Sequence, residues 1–329
     1  MAGYNELHGL KVKYLSADPS NPEDGQVWYN STTGNLRVKG VAIAAFASAA
    51  ALPTGTSTYN RAGTMTAGLF AGGNTSTGFS TATYEWNGSG WTSGGAIGTA
   101  LYSNTGFGTQ TAGASAAGRP TNGSSGDTNA TFEYDGSSWT SVNAANLAAR
   151  TRQSFGIQTA AAMVGGFSQS GGSYTNATEE YDGTNWTTVT VMPAATASAN
   201  AIGTQTAAIV SLGGAPTVAT TYVAYDGTNW TSSPSANIAR ARSAAGGTGA
   251  TSTAGLVIGG TPYNPSVVAE TWDGTSWANS ASITTARYGA GVSDGNTNGI
   301  IAGGRTAPGF ETAVEEFTVV TTARNITTS

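Results

Sequence analysis

An apolar run that ends in two glycines recurs along this chain at intervals of 44 to 48 residues, and this repeat restricts the fold more than any other feature. Self-similarity at a fixed period of roughly 20–50 residues marks repeat architectures, in which one structural unit is copied along the chain. The second copy is degenerate and reads Ala116-Ala117-Gly118. The five full copies end at Gly72-Gly73, Gly165-Gly166, Gly213-Gly214, Gly259-Gly260 and Gly303-Gly304.

Two further landmarks keep the same period. A motif of the form Gly-x-x-Thr-Ala precedes four of the apolar runs and starts at Gly63, Gly108, Gly156 and Gly203. A motif of the form aromatic-Asp/Asn-Gly-x-x-Trp follows five of them and ends at Trp91, Trp139, Trp186, Trp230 and Trp277.

These landmarks predict a four-stranded antiparallel sheet in each repeat. The apolar run is a buried strand, and its glycine pair ends it where a side chain would clash or φ must be positive. Asp-Gly or Asn-Gly predicts a tight hairpin, after which the tryptophan opens the outer strand and packs over the sheet. Gly-x-x-Thr-Ala predicts the turn between the first two strands. One such sheet cannot bury both faces alone, so neighbouring sheets must stack radially.

The repeats resemble kelch repeats over roughly residues 43–320, because a glycine pair is followed by spaced tyrosine and tryptophan. The resemblance implies a β-propeller, whose kelch period is near 50 residues. This chain departs from that pattern in its slightly shorter period and in the lost glycine of the second copy.

The ends of the array predict how the propeller closes. The last repeat reaches Glu315-Glu316-Phe317 without a following tryptophan, whereas Phe46 lies ahead of the first repeat at the place of a closing tryptophan. We therefore predict an all-β, six-bladed kelch-like β-propeller over residues 41–329, closed by an N-terminal strand in which residues 41–50 complete the last blade. Closure removes an open sheet edge.

Residues 1–40 form a separate N-terminal extension that carries a predicted β-hairpin. A strand through Trp28 and Tyr29 is followed by the turn Ser31–Asn35 and by a returning strand through Arg37. This segment resembles segments in structural and fibre proteins of tailed, particularly marine, bacteriophages. The resemblance implies a docking element that attaches the propeller to other virion proteins, with Trp28, Tyr29 and Arg37 as candidate docking residues. The alternative is a hairpin that packs on the propeller.

Composition excludes several classes of function. The chain has a net charge of −5 and only 13 Lys and Arg among its 329 residues, which predicts no nucleic acid partner. It has no cysteine, which excludes disulfides and thiolate metal sites. We expect no signal peptide, synthesis in the host cytoplasm and no membrane insertion, because the most apolar stretch, residues 41–52, is too short for a bilayer.

The sequence offers no clear catalytic, metal or cofactor site. The single histidine, His8, lies outside the repeats. A calcium-loop-like start at Asp294 has Arg305 where the bidentate glutamate is expected, so we interpret it as a turn.

Two recurring sets of charged residues have structural interpretations. A glutamate before the closing aromatic residue is expected to accept a hydrogen bond between blades, and it recurs as Glu85, Glu133, Glu180 and Glu316. Arginines that precede inner strands are expected in solvated loops, with a carboxylate-gripping cluster at one rim as the alternative; they are Arg150, Arg152, Arg240, Arg242 and Arg287.

The resemblance to bacteriophage proteins implies a virion structural protein, present in multiple copies in the particle, and the lack of a clear catalytic site predicts that it is non-enzymatic. It would act as an adhesin for host recognition or as a decoration protein, binding a host surface glycan or protein through propeller loops. The candidate ligand-facing residues are Tyr59, Tyr102, Tyr174 and Tyr263. The alternatives are a glycan-active enzyme, which needs carboxylates in one axial pocket, and a soluble kelch-type protein-interaction scaffold.

Overall fold

A computed structural model describes residues 12–20, 25–40, 43–57, 60–120, 126–212, 216, 220–237, 244–246, 252–260, 265–293, 297–306, 309–320 and 323–325. Among these residues every regular element is a β-strand, and the strands form small sheets that are almost entirely antiparallel. The prediction of an all-β fold is therefore confirmed.

The chain divides into two compact units. The first contains residues 1–45 and 318–329, and the second contains residues 46–317. The strand Ala323–Asn325 pairs with Asn35–Lys39 and joins the C-terminal segment to the N-terminal hairpin. The domain boundary after residue 40 stays a prediction.

The first unit is built on a four-stranded sheet in the order Lys13–Leu15, Val27–Asn30, Asn35–Lys39 and Ala323–Asn325. The first two strands pair in parallel, and the second and third form the antiparallel hairpin that the sequence predicts.

The remaining strands form six four-stranded sheets within the described residues, numbered here by the chain order of their first strands. Sheet 6 takes its fourth strand from the N-terminal side of the repeats. The sheets are Asn60–Thr64, Ala67–Ala71, Thr83–Trp86 and Trp91–Ser93 (sheet 1); Thr105–Gly108, Gly113–Ala116, Thr131–Tyr134 and Trp139–Val142 (sheet 2); Gln153–Ile157, Ala160–Val164, Thr178–Tyr181 and Trp186–Val189 (sheet 3); Ala201–Thr204, Ala207–Ser211, Tyr222–Tyr225 and Trp230–Ser233 (sheet 4); Ala244–Gly246, Gly255–Ile258, Ala269–Trp272 and Trp277–Asn279 (sheet 5); and Gly291–Ser293, Asn298–Ala302, Val314–Val320 and Ile43–Ser48 (sheet 6). Two short hairpins accompany them, Asn74–Thr75 with Gly78–Phe79 and Phe167–Ser168 with Ser173–Tyr174.

The glycine pairs end the second strands as predicted. The eight glycines of the four pairs in the described residues all have positive φ, between 59° and 114°. Gly213 and Gly214 lie outside those residues. In the degenerate second copy Ala117 itself takes a φ of 58° ahead of Gly118, so the backbone keeps its left-handed turn although the glycine is lost.

The Asp-Gly motif makes a hairpin with a four-residue loop. In sheet 3, Tyr181 pairs with Trp186, and Asp182 Oδ1 accepts the backbone N–H groups of Thr184 at 2.8 Å and Asn185 at 2.7 Å. These N–H groups hold the pKa of Asp182 below its usual value. Asp182 therefore accepts hydrogen bonds from the loop amides, and Gly183 takes the positive φ of 91° that the loop requires.

The apolar second strands are buried on both faces. Leu69 packs with Tyr134 of sheet 2, whereas the next residue, Phe70, packs with Ile300 of sheet 6. Successive strand residues point to opposite faces, so a continuous apolar run needs a neighbour on each side. The same kind of cluster joins sheets 2 and 3, sheets 3 and 4, and sheets 4 and 5.

Hydrogen bonds connect neighbouring sheets across these apolar contacts. The hydroxyl of Tyr181 donates to Glu133 at 2.8 Å, and burial together with this carboxylate raises the pKa of the tyrosine. Tyr225 donates in the same way to Glu180 at 2.8 Å, and Tyr134 to Glu85. The predicted inter-sheet role of these three glutamates is confirmed. For Glu316, whose pKa is raised by burial, the role stays a prediction.

We predict that Gly165→Ala is much more destabilising than Gly172→Ala. Their φ values are 59° and 61°, so both substitutions meet the same left-handed strain of about 1–2 kcal/mol. A Cβ at Gly165 would lie 2.4 Å from the carbonyl oxygen of Thr196, whereas one at Gly172 would meet nothing within 4 Å. We expect a loss of about 3 kcal/mol or more for Gly165→Ala, measured by urea unfolding. Equal losses for the two variants would contradict a steric role for the glycine pair.

Candidate functional site

A polar pocket lies in the second unit where the chain enters the first strands of several sheets. Its volume is about 130 Å³, room for several waters or for a small polar group of a ligand. We call it the entry pocket. Its described lining residues are Ser57, Arg61, Asn74, 102–104, 151–153, 198–199, 288–290 and Arg305.

The pocket wall is held by residues in the left-handed conformation. Ser103, Thr151 and Ser198 precede the first strands of sheets 2, 3 and 4, and their φ values are 54–55°. The Thr151 N–H donates to the Ser103 carbonyl, and the Ser198 N–H donates to the Thr151 carbonyl, each at 3.0 Å. Non-glycine residues rarely take this conformation, least of all a β-branched threonine, and it persists only where the surroundings fix it. The pocket is therefore shaped before any ligand arrives.

Arg152 supports the wall from within. Its side chain is fully buried and donates to Glu179 at 3.0 Å, to the Gly165 carbonyl at 3.0 Å and to the Met163 carbonyl at 3.2 Å. Burial lowers the pKa of the Arg152 guanidinium, and Glu179 offsets part of that effect.

The sequence predicts that five arginines before inner strands lie in solvated loops, and this prediction is wrong for two of them. Arg152 and Arg287 are buried because each has a buried carboxylate beside it; Arg287 lies 3.0 Å from Glu315. Arg150 is partly exposed, pairs with Asp127 at 2.8 Å and lies outside the pocket lining. Arg240 and Arg242 lie outside the described residues.

Two further arginines line the pocket, and the sequence analysis did not single them out for this role. Arg61 Nη2 donates to Gln153 Oε1 at 3.2 Å. The guanidinium of Arg305 lies over the ring of Phe310, 4.9 Å from its centroid. In the sequence Arg305 stands out only as the residue that breaks a calcium-loop pattern, because the packing of distant repeats that places it in the same pocket lining as Arg61 leaves no local signal.

The charged side chains among the described lining residues of the pocket are all basic. Its described lining residues include three arginines and no aspartate or glutamate. Ser103 Oγ and Asn104 Oδ1 are buried and have no hydrogen-bond partner within the part of the chain that the structure describes. Buried polar atoms of this kind need an explanation, and a ligand or bound water supplies one.

The four candidate ligand-facing tyrosines do not come together in the described residues. Tyr102 lines the entry pocket and stacks on Phe79 with ring centroids 5.1 Å apart. Tyr174 is partly exposed on a short hairpin and packs edge-on to Phe167, outside the pocket lining. Tyr59 and Tyr263 lie outside the described residues, as do His8 and Asp294.

The candidate docking residues lie on the hairpin of the first unit. Trp28 is fully buried, and its Nε1–H donates to Asp18 at 2.9 Å, while Arg37 forms an ion pair with the same carboxylate. Trp28 thus supports the hairpin, since it has no exposed surface to offer a partner. Tyr29 packs against Tyr14, which is 76% exposed. Docking through this unit stays a prediction.

The described residues contain no cluster of three or more histidine, cysteine, aspartate or glutamate side chains arranged to hold a metal ion. No helix long and apolar enough to cross a membrane is found in that part of the chain.

We predict that removing one partner of the Arg152–Glu179 pair is more damaging than replacing both. Glu179→Gln leaves the buried guanidinium without its counter-charge and should cost about 3–5 kcal/mol of unfolding free energy. The double variant Arg152→Met/Glu179→Leu removes both charges and should lose less. Urea denaturation of the two variants and the parent protein measures the difference. A double variant less stable than Glu179→Gln would contradict this account of the pair.

Comparison with known proteins supports the fold class alone. No family model matches the chain, and no curated protein matches it. Among solved structures, the chain is similar to the structure of YjhT, with a TM-score of 0.66 and 16% sequence identity, over 84% of this chain and 99% of that one. At this identity the similarity shows the fold, which is of the β-propeller type.

Proposed function

We propose that the second unit is a closed, six-bladed, kelch-like propeller, with the strand Ile43–Ser48 completing the last blade. Phe46 packs on Phe317 with ring centroids 5.0 Å apart, much as Trp186 packs on Tyr181 at 4.9 Å. The Ala49 N–H donates to the Val314 carbonyl at 2.9 Å. Phe46 therefore has the packing of a closing tryptophan.

Contacts between sheets 1 and 6 support the same proposal. Trp91 Nε1–H donates to the carbonyl of Ala50 at 2.8 Å, and Trp230 donates to Thr190 at 3.0 Å. Each acceptor lies four residues after the aromatic ring of the preceding fourth strand, Phe46 or Trp186. One apolar cluster contains side chains of both sheets: Leu52, Phe70, Trp86, Ile300, Ala302 and Val314.

Closure predicts different outcomes for two truncations. Removing residues 1–40 keeps Phe46, and unfolding of the repeats should stay a single cooperative transition. Removing residues 1–50 exposes the edge of sheet 6 and leaves Trp91 without its acceptor, so the transition should broaden or split. Calorimetry of both truncations, with the full chain as reference, measures this. Identical melting profiles for the two truncations would refute closure.

We propose that the protein is a non-enzymatic structural component of a bacteriophage virion that binds a surface or partner through its propeller loops. The observation that carries the proposal is the entry pocket. Stacked sheets hold it rigidly, it is lined by polar and basic groups, and its described lining lacks the carboxylate pair that most glycosidases use. Such a pocket is suited to binding.

The first unit supports a docking role within that proposal. Two large apolar side chains at its first strand are exposed, Val12 and Tyr14. Exposed apolar surface is a feature of protein interaction sites. We propose that this unit attaches the protein to other virion proteins, in several copies per particle.

Purified phage particles test the virion assignment. We expect mass spectrometry to detect the chain in particles that carry the wild-type gene. Tyr14→Asp should reduce its amount, because a charge would enter the proposed interface, whereas Ile157→Asp, which changes an exposed residue of the second unit, should not. Unchanged melting of each purified variant serves as the folding control. Absence of the wild-type chain from particles would refute the virion role.

A further inference from the structure

We infer that the hairpin loop of sheet 1 is a site of spontaneous covalent modification, at which Asn87 loses its side-chain amide and becomes aspartate or isoaspartate. The loop reads Asn87-Gly88-Ser89-Gly90, and among the five aromatic-Asp/Asn-Gly-x-x-Trp motifs of the sequence it alone has asparagine. The inference goes beyond the proposed function and does not depend on it.

The reaction needs no second molecule except water, because its two reacting groups belong to neighbouring residues. The backbone nitrogen of Gly88 attacks Cγ of Asn87, gives up its proton to water and closes a cyclic succinimide. The bond from Cγ to Nδ2 breaks, and the nitrogen takes up a proton and leaves as ammonia. Water then opens the ring, giving aspartate by attack at Cγ and isoaspartate by attack at the main-chain carbonyl carbon. A tethered nucleophile of this kind has a high effective concentration.

The loop donates three hydrogen bonds to the oxygen on which negative charge develops during the attack. Asn87 Oδ1 accepts the N–H of Ser89 at 3.0 Å, the hydroxyl of Ser89 at 3.0 Å and the N–H of Gly90 at 2.9 Å. Donors that are already aimed at a developing oxyanion stabilise the transition state of acyl transfer. The hairpin therefore both holds the side chain and activates its carbonyl carbon.

The attacking nitrogen and the leaving group are accessible. Asn87 is exposed, so water reaches its amide. Gly88 has no side chain to shield its nitrogen, and its N–H has no hydrogen-bond partner within the described part of the chain. The loop is closed instead by the N–H of Asn87, which donates to the carbonyl of Gly90 at 3.2 Å. The hydrogen bonds that shape the loop thus leave the reacting amide of Gly88 free.

A second Asn-Gly pair in the described residues has a different setting. Asn298 opens the strand Asn298–Ala302, and Gly299 is buried within that strand. A strand backbone is extended and held by its neighbours, which opposes closure of the succinimide ring. Burial of Gly299 also keeps water away from its nitrogen. Asn298 is therefore a slow internal reference in the same folded chain; a third pair, Asn122-Gly123, lies outside the described residues.

The direct product of the reaction fits the loop. Asp135 takes the same place in the hairpin of sheet 2, where its Oδ1 accepts the N–H groups of Ser137 and Ser138, each at 2.8 Å. Aspartate at position 87 would keep the acceptor and add one negative charge. Isoaspartate would lengthen the main chain between Trp86 and Trp91, which pair across the hairpin.

Incubation of the purified full chain at mildly alkaline pH, followed by mass spectrometry of proteolytic peptides, tests the inference. We expect Asn87 to react at least about tenfold faster than Asn298 in the folded chain. We also expect Asn87 to react faster in the folded chain than in the chain unfolded in urea, because only the hairpin aligns the three donors. Equal rates at Asn87 and Asn298, or a folded chain no faster than the unfolded one, would overturn the inference, since the loop would then protect the amide.

Two matched serine variants test the donors. Ser89→Ala removes the hydroxyl and keeps the N–H, and it should slow the reaction at Asn87 about fivefold. Ser137→Ala removes the equivalent hydroxyl beside Asp135 and should leave that rate unchanged. A faster or unchanged reaction in Ser89→Ala would contradict the activating role of the loop. Thermal melting checks that each variant is folded, and the comparison of folded and unfolded parent chain decides the matter without any variant.

Discussion

The second unit depends on the burial of each sheet by its neighbours. A second strand such as Ala160–Val164 is apolar at every position, and its alternate residues belong to two different clusters. Ala161 and Met163 face sheet 2, whereas Ala162 and Val164 face sheet 4. A single sheet would leave one of these faces in water, so a repeat is stable only between two others. The stability of each repeat therefore depends on the presence of its neighbours in the array.

The polar contacts between sheets also form only when neighbouring sheets are packed against each other. A buried tyrosine hydroxyl needs an acceptor, and each of Tyr134, Tyr181 and Tyr225 finds a glutamate on the preceding sheet. At the corresponding place sheet 5 has Trp272, and the preceding sheet has Ala224 in place of a glutamate. In these four sheet pairs the carboxylate is present only where the neighbouring ring carries a hydroxyl. Glu316 does not follow this rule, because the ring at the corresponding place in sheet 1 is Trp86.

Much of this fold follows from local patterns in the sequence. The glycine pairs, the Gly-x-x-Thr-Ala turns and the tryptophans give the strand order, because each acts on its own backbone or on the adjacent strand. The buried ion pairs were missed since Arg152 and Glu179 are 27 residues apart and meet only when the sheet forms. A signal was available in the consecutive acids Glu179-Glu180 and Glu315-Glu316. Neighbouring strand residues face opposite sides, so two acids in a buried strand need two different partners.

The entry pocket shows the boundary of what a repeat pattern can predict. The repeat pattern preserves backbone conformations that recur from sheet to sheet. Ser103, Thr151 and Ser198 share a left-handed conformation and together form the wall of the entry pocket. The chemistry of the pocket comes from residues that the repeat leaves unconstrained, Arg61 and Arg305 among them. A search for recurring residues cannot find such a site. A search for large charged residues at positions where other repeats have small ones would find Arg61, which stands where sheets 2 and 3 have Gly106 and Ser154.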